Sequence, residues 1–571
     1  MAEILDEVTY PTTPPIKTLL SNVLVPNIGD EEGNGNTFGY TRKDILLDNG
    51  KIAAIEPSGS ISIPFEDVHE VIDSQEKMIL PGFVNAHAHS SEHWVRGLIK
   101  PLPLELWLLQ LVQHEPRGMK GWYGENSFAE TPSWSIGLSA LHAGVEAMLS
   151  GCTAIMDHLY VRNLEDIEQA VKAYKALGIR AFIAPMLDDD SVMYANYIPL
   201  VPDAKERNEG LCGSACPFAL GKDGKFRTEP APRDPEKTKS VMCLWEEAVN
   251  KFHDPENGIE IAIGPVTLNS CSPELLRGAA DLRRKYNLCG HTHLLETRAE
   301  ALMAKLCFPS GSAVKHLRET GFLDLRGTSC AHSVWLTDEE LEIMAESGAV
   351  CVHNPLSNVR LGSGVMPVQR ALELGVTIAV GCDGACSSDG QDMLEALKLA
   401  TTLSTVGTPE YRNWLPPQKV ALTLGAKNGY AAVGMRGLAG EIQVGMAADL
   451  TLWDLTSLAL LPRTDPLSLL VLGSRTQAPH AGSTLHTAWV RGRKVVSEGH
   501  PSGVNLRSLR SALMKAQPSY REPEMTNPTG SAAEVEYRAA MGLNPEGQKK
   551  ETPRDIGKCS EGRVLYDSTI L

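Results

Sequence analysis

Hydrophobic positions divide the chain into two kinds of segment. Near both ends, short apolar runs are separated by turn residues, at 16–26, 44–55, 71–80, 449–454 and 487–496. Asp48-Asn49-Gly50 stands between two of these runs, and Asn-Gly between apolar segments is typical of a β-hairpin. The pattern therefore predicts β-strands at both ends of the chain.

The middle of the chain has a different pattern, in which apolar runs alternate with amphipathic stretches. The runs lie at 83–89, 153–160, 180–188, 259–266, 288–296, 328–335, 349–354 and 377–383. The stretches with helical periodicity lie at 135–149, 164–177, 273–286, 338–347 and 368–374. Strand–helix alternation with apolar strands predicts a parallel sheet covered on both faces. Eight such units predict an α/β fold of the closed (β/α)8 type, in which reactive groups sit at the carboxyl ends of the strands.

Composition narrows the class of protein. The 571-residue chain has a formal net charge of −17, which argues against nucleic-acid and anionic-membrane partners. Its twelve cysteines are scattered and form no disulfide framework. The sequence has neither a signal-peptide pattern nor an apolar run long enough to span a membrane, so we expect a cytoplasmic protein.

Two pairs of histidines suggest a metal site. His87 and His89 end the first apolar run, and His291 and His293 repeat that spacing at the fifth. Residues two apart on a strand point to the same side, roughly 6.6 Å apart. Asp383 ends the eighth run. Imidazoles and a carboxylate at one barrel mouth are typical zinc ligands, but spacing leaves open which histidine of the fifth run binds the metal.

Several motifs carry a resemblance to a known family. They lie at 81–89 (PGFVNAHAH), 96–98 with 102–108, 290–297 (GHTHLLET), 331–332, 353–358 (HNPLSN) with 361–364, and 381–384 (GCDG). The sequence resembles the amidohydrolase superfamily, in the branch of mononuclear aminohydrolases and chlorohydrolases. That branch includes S-adenosylhomocysteine/methylthioadenosine deaminases, guanine deaminase and triazine hydrolases. The resemblance spans roughly residues 16–500.

The resemblance implies a domain organisation. A (β/α)8 barrel is expected over 81–435, with a flanking β-sandwich built from 1–80 and 436–500. Residues around 190–240, rich in Pro, Gly and charged residues, are expected to form an insertion over the barrel mouth. Residues 501–571 are expected to form a partly mobile tail. Assembly into a homo-oligomer is expected by analogy with the fold alone.

The resemblance also implies a site. One divalent metal ion, Zn²⁺ or else Fe²⁺, is expected on His87, His89, His293 and Asp383. Glu296 matches the proton-shuttling carboxylate, and His332 matches the histidine that orients the attacked group. Asp383 would also orient the attacking water. The fourth run has no lysine at its end, where binuclear relatives keep a carbamylated lysine, and this favours a single metal.

Other polar residues near these motifs are candidate substrate contacts. They are Glu92, His93, Trp94, His158, Asn269 and His353. Each has a structural alternative: a solvent-facing loop for the first three, an Asp157–His158 pair, and a packing role for His353. Trp107 fits a helical stripe and is expected in the core.

The function expected from this site is hydrolytic deamination of a small N-heterocycle (purine, pterin, pyrimidine or triazine) with release of ammonia. Glu296 favours it, because a leaving amine needs a proton donor. Dechlorination or opening of a cyclic amide on a similar ring is the alternative. A metal-free scaffold would have lost ligands that this chain keeps. Val266 replaces the His or Arg of purine-specific relatives, and Lys100-Pro101 replaces an acidic pair, which favours a smaller or less polar ring.

Overall fold

The computed structural model describes residues 16–28, 38–61, 68–97, 99–108, 111, 133–189, 234–406, 409–473 and 484–516. Residues 190–233 of the predicted insertion and residues 517–571 of the predicted tail lie outside these ranges.

Strands from the two ends of the chain form one sheet. The strands are β1 (Thr18–Ile28), β2 (Phe38–Asp48), β3 (Lys51–Pro57), β4 (Glu70–Asp73), β5 (Lys77–Pro81), β16 (Leu450–Asp454), β17 (Leu485–Val490), β18 (Arg493–Ser497) and β19 (His500–Pro501). The nine strands run in the order β19-β18-β17-β16-β5-β1-β2-β3, with β4 beside β1. The antiparallel pairing of β5 with β16 joins the amino-terminal strands to the carboxyl-terminal ones.

The predicted hairpin is confirmed. Strands β2 and β3 pair antiparallel, with Asp48 opposite Lys51. Asn49 and Gly50 in the turn both have positive φ angles, 48° and 76°. Two consecutive left-handed residues make the type of two-residue turn that matches the twist of the flanking strands.

The middle of the chain contains parallel strands. They are β6 (Phe83–His89), β7 (Cys152–Tyr160), β8 (Arg180–Leu187), β9 (Ile259–Ile261), β10 (Gly264–Pro265), β11 (Gly290–Leu294), β12 (Thr328–His332), β13 (Val350–His353), β14 (Thr377–Val380) and β15 (Asp383–Gly384). One sheet contains β15, β6, β7 and β8 with β9 and β10, and the other contains β11 to β14 in order. Backbone bridges from Ile263 to Gly290 and from Thr267 to His293 connect the two. The fourth predicted strand, 259–266, is thus two short strands rather than one.

Helices connect the parallel strands and follow the last of them, and two more lie among and after the carboxyl-terminal strands. They are α1 (Trp134–Leu149), α2 (Leu164–Leu177), α3 (Pro235–Phe252), α4 (Pro273–Tyr286), α5 (Arg298–Cys307), α6 (Ala313–Glu319), α7 (Asp338–Ser347), α8 (Pro355–Arg360), α9 (Val368–Glu373), α10 (Met393–Leu403), α11 (Pro417–Lys419), α12 (Asn428–Ala432), α13 (Pro466–Leu472) and α14 (Leu506–Ala516). A π-helical stretch, Val420–Lys427, lies between α11 and α12. The predicted α/β class is confirmed. No described helix combines the length and the hydrophobicity needed to cross a bilayer.

Two helices correct the predicted boundaries. Helix α3 begins at Pro235, so the insertion predicted to reach about residue 240 ends before that proline. Asp234 caps this helix with its side chain, a start signal that the composition of the surrounding stretch obscures. Helix α14 occupies the first part of the predicted 501–571 tail, with Leu509 and Ala512 buried.

Candidate metal and catalytic site

The carboxyl ends of the parallel strands bring the predicted metal ligands together. His87 and His89 end β6, and Asp383 begins β15, which pairs in parallel with β6. His293 lies near the end of β11. The side chains of His87, His89 and Asp383 are buried. The four groups proposed from the sequence therefore meet at one end of the sheet.

The distances between these groups suit a small cation. Nε2 of His87 and Nε2 of His89 each lie 3.4 Å from Oδ1 of Asp383. Nε2 of His89 lies 3.1 Å from Nε2 of His293. A tetrahedral zinc ion with bonds of about 2.0–2.1 Å requires ligand atoms roughly 3.3–3.4 Å apart. The ligand atoms thus already have nearly the separation that the ion demands.

Each imidazole is held through its other nitrogen. Nδ1–H of His89 donates to the carbonyl oxygen of His158 at 2.6 Å, and Nδ1–H of His293 donates to that of Val266 at 2.7 Å. These bonds fix the tautomer in which Nε2 carries no proton and has a lone pair for the metal. Nε2 of His87 is fully buried and has no hydrogen-bond partner among the described residues. An orphaned buried nitrogen facing a carboxylate fits a metal ligand.

The ionisation states also suit a cation. Burial lowers the pKa of His87 well below its usual value and that of His293 to about 3, so both rings are neutral at pH 7. Burial would raise the pKa of Asp383, but the imidazoles of His87, His332 and His89 hold it well below its ordinary range. Neutral imidazoles around an ionised carboxylate are the protonation states in which these groups bind metals.

Glu296 and His332 lie beside this cluster. Oε2 of Glu296 is 3.4 Å from Nε2 of His332, and that nitrogen is 3.7 Å from Oδ2 of Asp383. Oε1 of Glu296 accepts a hydrogen bond from the Ser363 hydroxyl at 2.9 Å, and Nδ1–H of His332 donates to Oδ1 of Asn358 at 2.9 Å. Burial, reinforced by the charge of Asp383, raises the pKa of Glu296 well above its usual value. This shift favours the protonated form of the carboxyl, in which it can donate a proton.

Backbone strain marks the same strand ends. His332 and Asp383 adopt left-handed conformations with φ of 71° and 68°. Such conformations cost non-glycine residues on the order of 1 kcal/mol and cluster at functional sites. Gly381 allows the close approach of β14 to β6, because a Cβ there would lie 2.9 Å from the backbone nitrogen of His87.

A small cavity of about 80 Å³ opens beside these groups. Its polar side includes His89, His293, Glu296, His332, Asp383 and Glu92. Its apolar wall includes Leu104, Trp107, Leu108, Met186, Val266 and Leu361. Trp107, which the sequence places in the core, is buried but lines this cavity. The cavity therefore combines a reactive polar end with an aromatic and aliphatic wall.

The six predicted substrate contacts have different positions. Glu92 lines the cavity, and its Oε2 accepts a hydrogen bond from the backbone nitrogen of Cys386 at 3.3 Å. His93 lies 3.3 Å from the carboxylate of Glu146 instead. Trp94 donates from its indole to the carbonyl oxygen of Ser135. Neither of these two belongs to the described cavity lining.

The remaining three lie outside the described cavity lining as well. His158 is fully buried, and its ring lies 4.9 Å from that of His293, beneath the ligand cluster. Asn269 is partly buried in the loop after β10. His353 is buried, and its pKa is lowered to about 3 by burial and by His332. These positions favour supporting roles over substrate contact.

Sequence reasoning missed the hydrogen-bonding residues around the reactive groups. Ser363 and Asn358 hold Glu296 and His332, and Ser329 contacts His291. Ser363 and Asn358 lie inside motifs that the sequence singles out, 361–364 and 353–358. Their roles emerge only when β11, β12 and the loops after β13 are placed side by side.

Comparison with known proteins is decisive for the family. A profile of the amidohydrolase family matches residues 78–492. The chain belongs to the amidohydrolase family. The matched region contains every residue of the candidate site described above.

Individual relatives are similar over nearly their full length. The 5-methylthioadenosine/S-adenosylhomocysteine deaminase of Pyrococcus furiosus is 28% identical over 481 residues, which cover 84% of this amidohydrolase and 97% of the relative. The atrazine chlorohydrolase of Arthrobacter aurescens, solved with zinc, has a TM-score of 0.70 at 22% identity, covering 88% of this chain and 100% of that one. An adenosine deaminase of Xanthomonas campestris, also with zinc, has a TM-score of 0.67 at 21% identity, covering 88% and 98%. Together with the α/β architecture, these structures indicate a TIM-barrel-type fold.

Proposed function

We propose that this amidohydrolase is a metal-dependent enzyme that deaminates an amino-substituted N-heterocycle and releases ammonia. The observation that carries the proposal is the position of the buried carboxyl of Glu296, whose Oε2 lies 3.4 Å from Nε2 of His332, beside the cluster of His87, His89, His293 and Asp383. Burial raises the pKa of this carboxyl, which suits a proton donor. The relatives are named as deaminases of adenosine derivatives, and this supports the same reaction class.

The metal is proposed to be a single divalent ion, Zn²⁺ in the first instance. His87, His89, His293 and Asp383 would hold it, and the zinc in two similar structures supports this assignment. Such an ion supplies a nucleophilic water, because it lowers the pKa of that water toward about 7. The same donors also suit Fe²⁺, since imidazole and carboxylate ligands do not by themselves separate the two metals.

The protein residues then divide the proton transfers. Asp383, which stays ionised, accepts a hydrogen bond from the attacking water and orients it toward the ring carbon. Glu296 relays the two protons of the attacking water, one to the ring nitrogen and one to the departing amine, and returns to the protonation state in which it began. His332 faces the attacked carbon and stabilises the charge that develops there. Water oxygen becomes bonded to the carbon, the carbon–nitrogen bond breaks, and ammonia leaves.

The residues that line the cavity indicate which kind of ring it could bind. Trp107 and the aliphatic wall suit the flat face of a heterocycle. Val266 faces this space where purine-specific relatives have His or Arg, which favours a ring with few polar substituents at that edge. Purine, pterin, pyrimidine and triazine rings remain the proposed range.

Hydrolytic dechlorination is the second candidate. The apolar cavity wall and the structural similarity to a triazine hydrolase favour it, although that similarity concerns the fold. A leaving chloride needs no proton, whereas the raised pKa of the Glu296 carboxyl suits a proton donor. Deamination therefore ranks first.

We also propose that the parallel strands close into an eight-stranded barrel over 81–435, flanked by a β-sandwich of 1–80 and 436–500. The pairing of β15 with β6 and the bridge from Ile263 to Gly290 support closure. A cytoplasmic homo-oligomer remains the expected form of the protein.

The test measures ammonia release by the zinc-loaded protein. The panel contains aminated purines, pterins, pyrimidines and triazines, together with a chlorotriazine and a cyclic amide. Ammonia from one ring class is expected, with kcat/KM reduced by roughly 10²- to 10⁴-fold in Glu296→Gln. Asp383→Asn is expected to lose both activity and metal, and the exposed Glu247→Gln serves as control. Chloride without ammonia would establish the second candidate, and a chain that binds no divalent metal would overturn both.

A further inference from the structure

His291 lies two residues before the ligand His293 but belongs to a different set of contacts. Its side chain is fully buried. Its Nε2 lies 2.7 Å from Nδ1 of His87, and its Nδ1 lies 2.7 Å from the hydroxyl oxygen of Ser329. Both ring nitrogens are therefore engaged, which leaves none for the metal and answers the question that the His291–His293 spacing left open.

We propose that His291 is a positioning residue that fixes the tautomer of His87, an inference that rests on the proposed metal site. Nδ1–H of His87 donates to Nε2 of His291, and Nδ1–H of His291 donates to the Ser329 hydroxyl. In this arrangement Nε2 of His87 has a lone pair directed at the cluster with Asp383. In the opposite tautomer, an N–H of His87 would point at the cation and prevent coordination.

The sheet makes this relay rigid. His291 and Ser329 stand directly opposite each other in the parallel pairing of β11 with β12. The backbone nitrogen of His291 also donates to the carbonyl oxygen of Ile263 at 3.0 Å. The acceptor of the His87 proton is thus placed by two neighbouring strands rather than by a loop.

His87 differs in this respect from the other two imidazole ligands. His89 and His293 donate their Nδ1–H to carbonyl oxygens of the main chain, which can only accept. The partner of His87 is a side chain that can donate or accept. The Ser329 hydroxyl can accept from Nδ1–H of His291, and this arrangement leaves Nε2 of His291 free to accept from His87. Substitution can therefore remove the partner of His87 without altering the other two ligands.

The experiment measures the zinc dissociation constant of the full chain by competition with a chelator, which requires no substrate. His291→Leu removes the acceptor at similar volume and is expected to weaken zinc binding roughly 10- to 100-fold. His291→Gln, whose amide oxygen can accept from His87, is expected to recover most of that affinity. Ser329→Ala is expected to weaken binding by a smaller factor, on the order of three to ten.

Controls separate positioning from folding. His316→Leu removes another buried histidine, which stacks on Phe308 away from the cluster, and should leave zinc affinity unchanged. If His291→Leu does not fold, Ser329→Ala and His291→Gln provide the comparison. Zinc affinity of wild-type strength in His291→Leu would overturn the inference alone. If His291→Leu does not fold, wild-type affinity in Ser329→Ala would overturn it in the same way. A wild-type chain without zinc affinity would overturn the proposed function and this inference together.

Discussion

Individual residues of the site carry opposite pKa shifts within a few ångströms. Burial lowers the pKa of imidazoles such as His158 and raises that of carboxyls such as Glu296. The two groups respond differently to pH. A buried neutral histidine lowers the free energy of unfolding of the protein as pH falls below the unfolded pKa of that histidine. A buried neutral carboxyl lowers it as pH rises above the unfolded pKa of that carboxyl.

His353 provides a test of this effect, because it lies outside the described lining of the cavity and is not one of the proposed metal ligands. Its folded pKa is about 3, against about 6.5 unfolded, so the unfolded chain binds an extra proton between these values. Stability should therefore fall with decreasing pH through this window, by up to about 1.4 kcal/mol per pH unit from this residue. His353→Gln should flatten the slope accordingly in urea unfolding of the metal-free protein between pH 7 and 5. The exposed His500→Gln should not, and an equal slope in both variants would contradict the assignment.

The position of the proposed ligand residues could be predicted from sequence, because strand period and strand order place them at the carboxyl ends of the strands. His87, His89 and Asp383 need only lie at the carboxyl ends of adjacent parallel strands. The choice of His293 over His291 could not be derived from spacing, because it depends on the neighbour that each ring meets across the sheet. Trp107 is buried in an apolar cluster, as its helical stripe predicts, but the stripe does not reveal that the same side chain also lines a cavity.

At the scale of elements, helix α5 follows directly after Glu296 and begins with a capping box. The hydroxyl of Thr297 accepts from the backbone nitrogen of Glu300, and the Glu300 carboxylate reaches back to the amino end of the helix. Thr297 also donates to the buried carboxyl of Glu105 at 2.7 Å. The cap thus ties the cavity segment 104–108 to the residue proposed as proton donor.

We expect Thr297→Ala to lower the free energy of unfolding by about 1–2 kcal/mol, through loss of the cap and of the partner of Glu105. Activity should fall as well, because the segment that carries Glu296 loses its hydrogen bond to Glu105, while Thr297→Ser should retain both activity and stability. Helix α7 offers a matched control, since Thr337 and Glu340 form the same capping box away from the cavity. Thr337→Ala should cost similar stability at unchanged kcat. Equal losses of kcat in both alanine variants would contradict the link to Glu296.

Helices and strands could be predicted where the hydrophobic periodicity and the signals at their ends lie within the element itself. The predicted helices 164–177 and 273–286 match α2 and α4 at both ends. The fourth strand was predicted as one because 259–266 is uniformly apolar, yet Gly264-Pro265 pairs separately from Ile259–Ile261. The interruption lies at Ala262 and Ile263, two apolar residues that nothing in the hydrophobic pattern distinguishes from their neighbours.

At the scale of the whole molecule, a buried ion pair connects the terminal sheet to the parallel strands. Nε of Arg180, at the start of β8, donates to Oδ2 of Asp449 at 2.5 Å. The Tyr430 hydroxyl and the backbone nitrogen of Arg491 also donate to Asp449, at 3.0 and 2.6 Å. Neither charged residue stands out in the sequence, because the pair joins segments 269 residues apart. The hydrophobic pattern indicated strands at both ends but not how those ends attach to the rest.

Removing one partner of this pair should destabilise the molecule strongly. Asp449→Asn leaves the guanidinium of Arg180, only 8% exposed, without its counter-charge, and we expect a loss of about 3–5 kcal/mol in the free energy of unfolding measured in urea. The exposed pair of Asp281 with Arg284 provides the control, because water already solvates both charges and Asp281→Asn should leave the midpoint unchanged.

The double variant Arg180→Met with Asp449→Leu then separates charge from packing. It leaves no uncompensated charge, and apolar side chains of similar reach can replace a buried ion pair at little cost. Recovery of most of the stability in the double variant would show that the pair is needed mainly because each charge requires the other. A loss in the double variant equal to the sum of the single losses would instead mean that Arg180 and Asp449 act independently, and that the two sheets are held together by the apolar contacts around them.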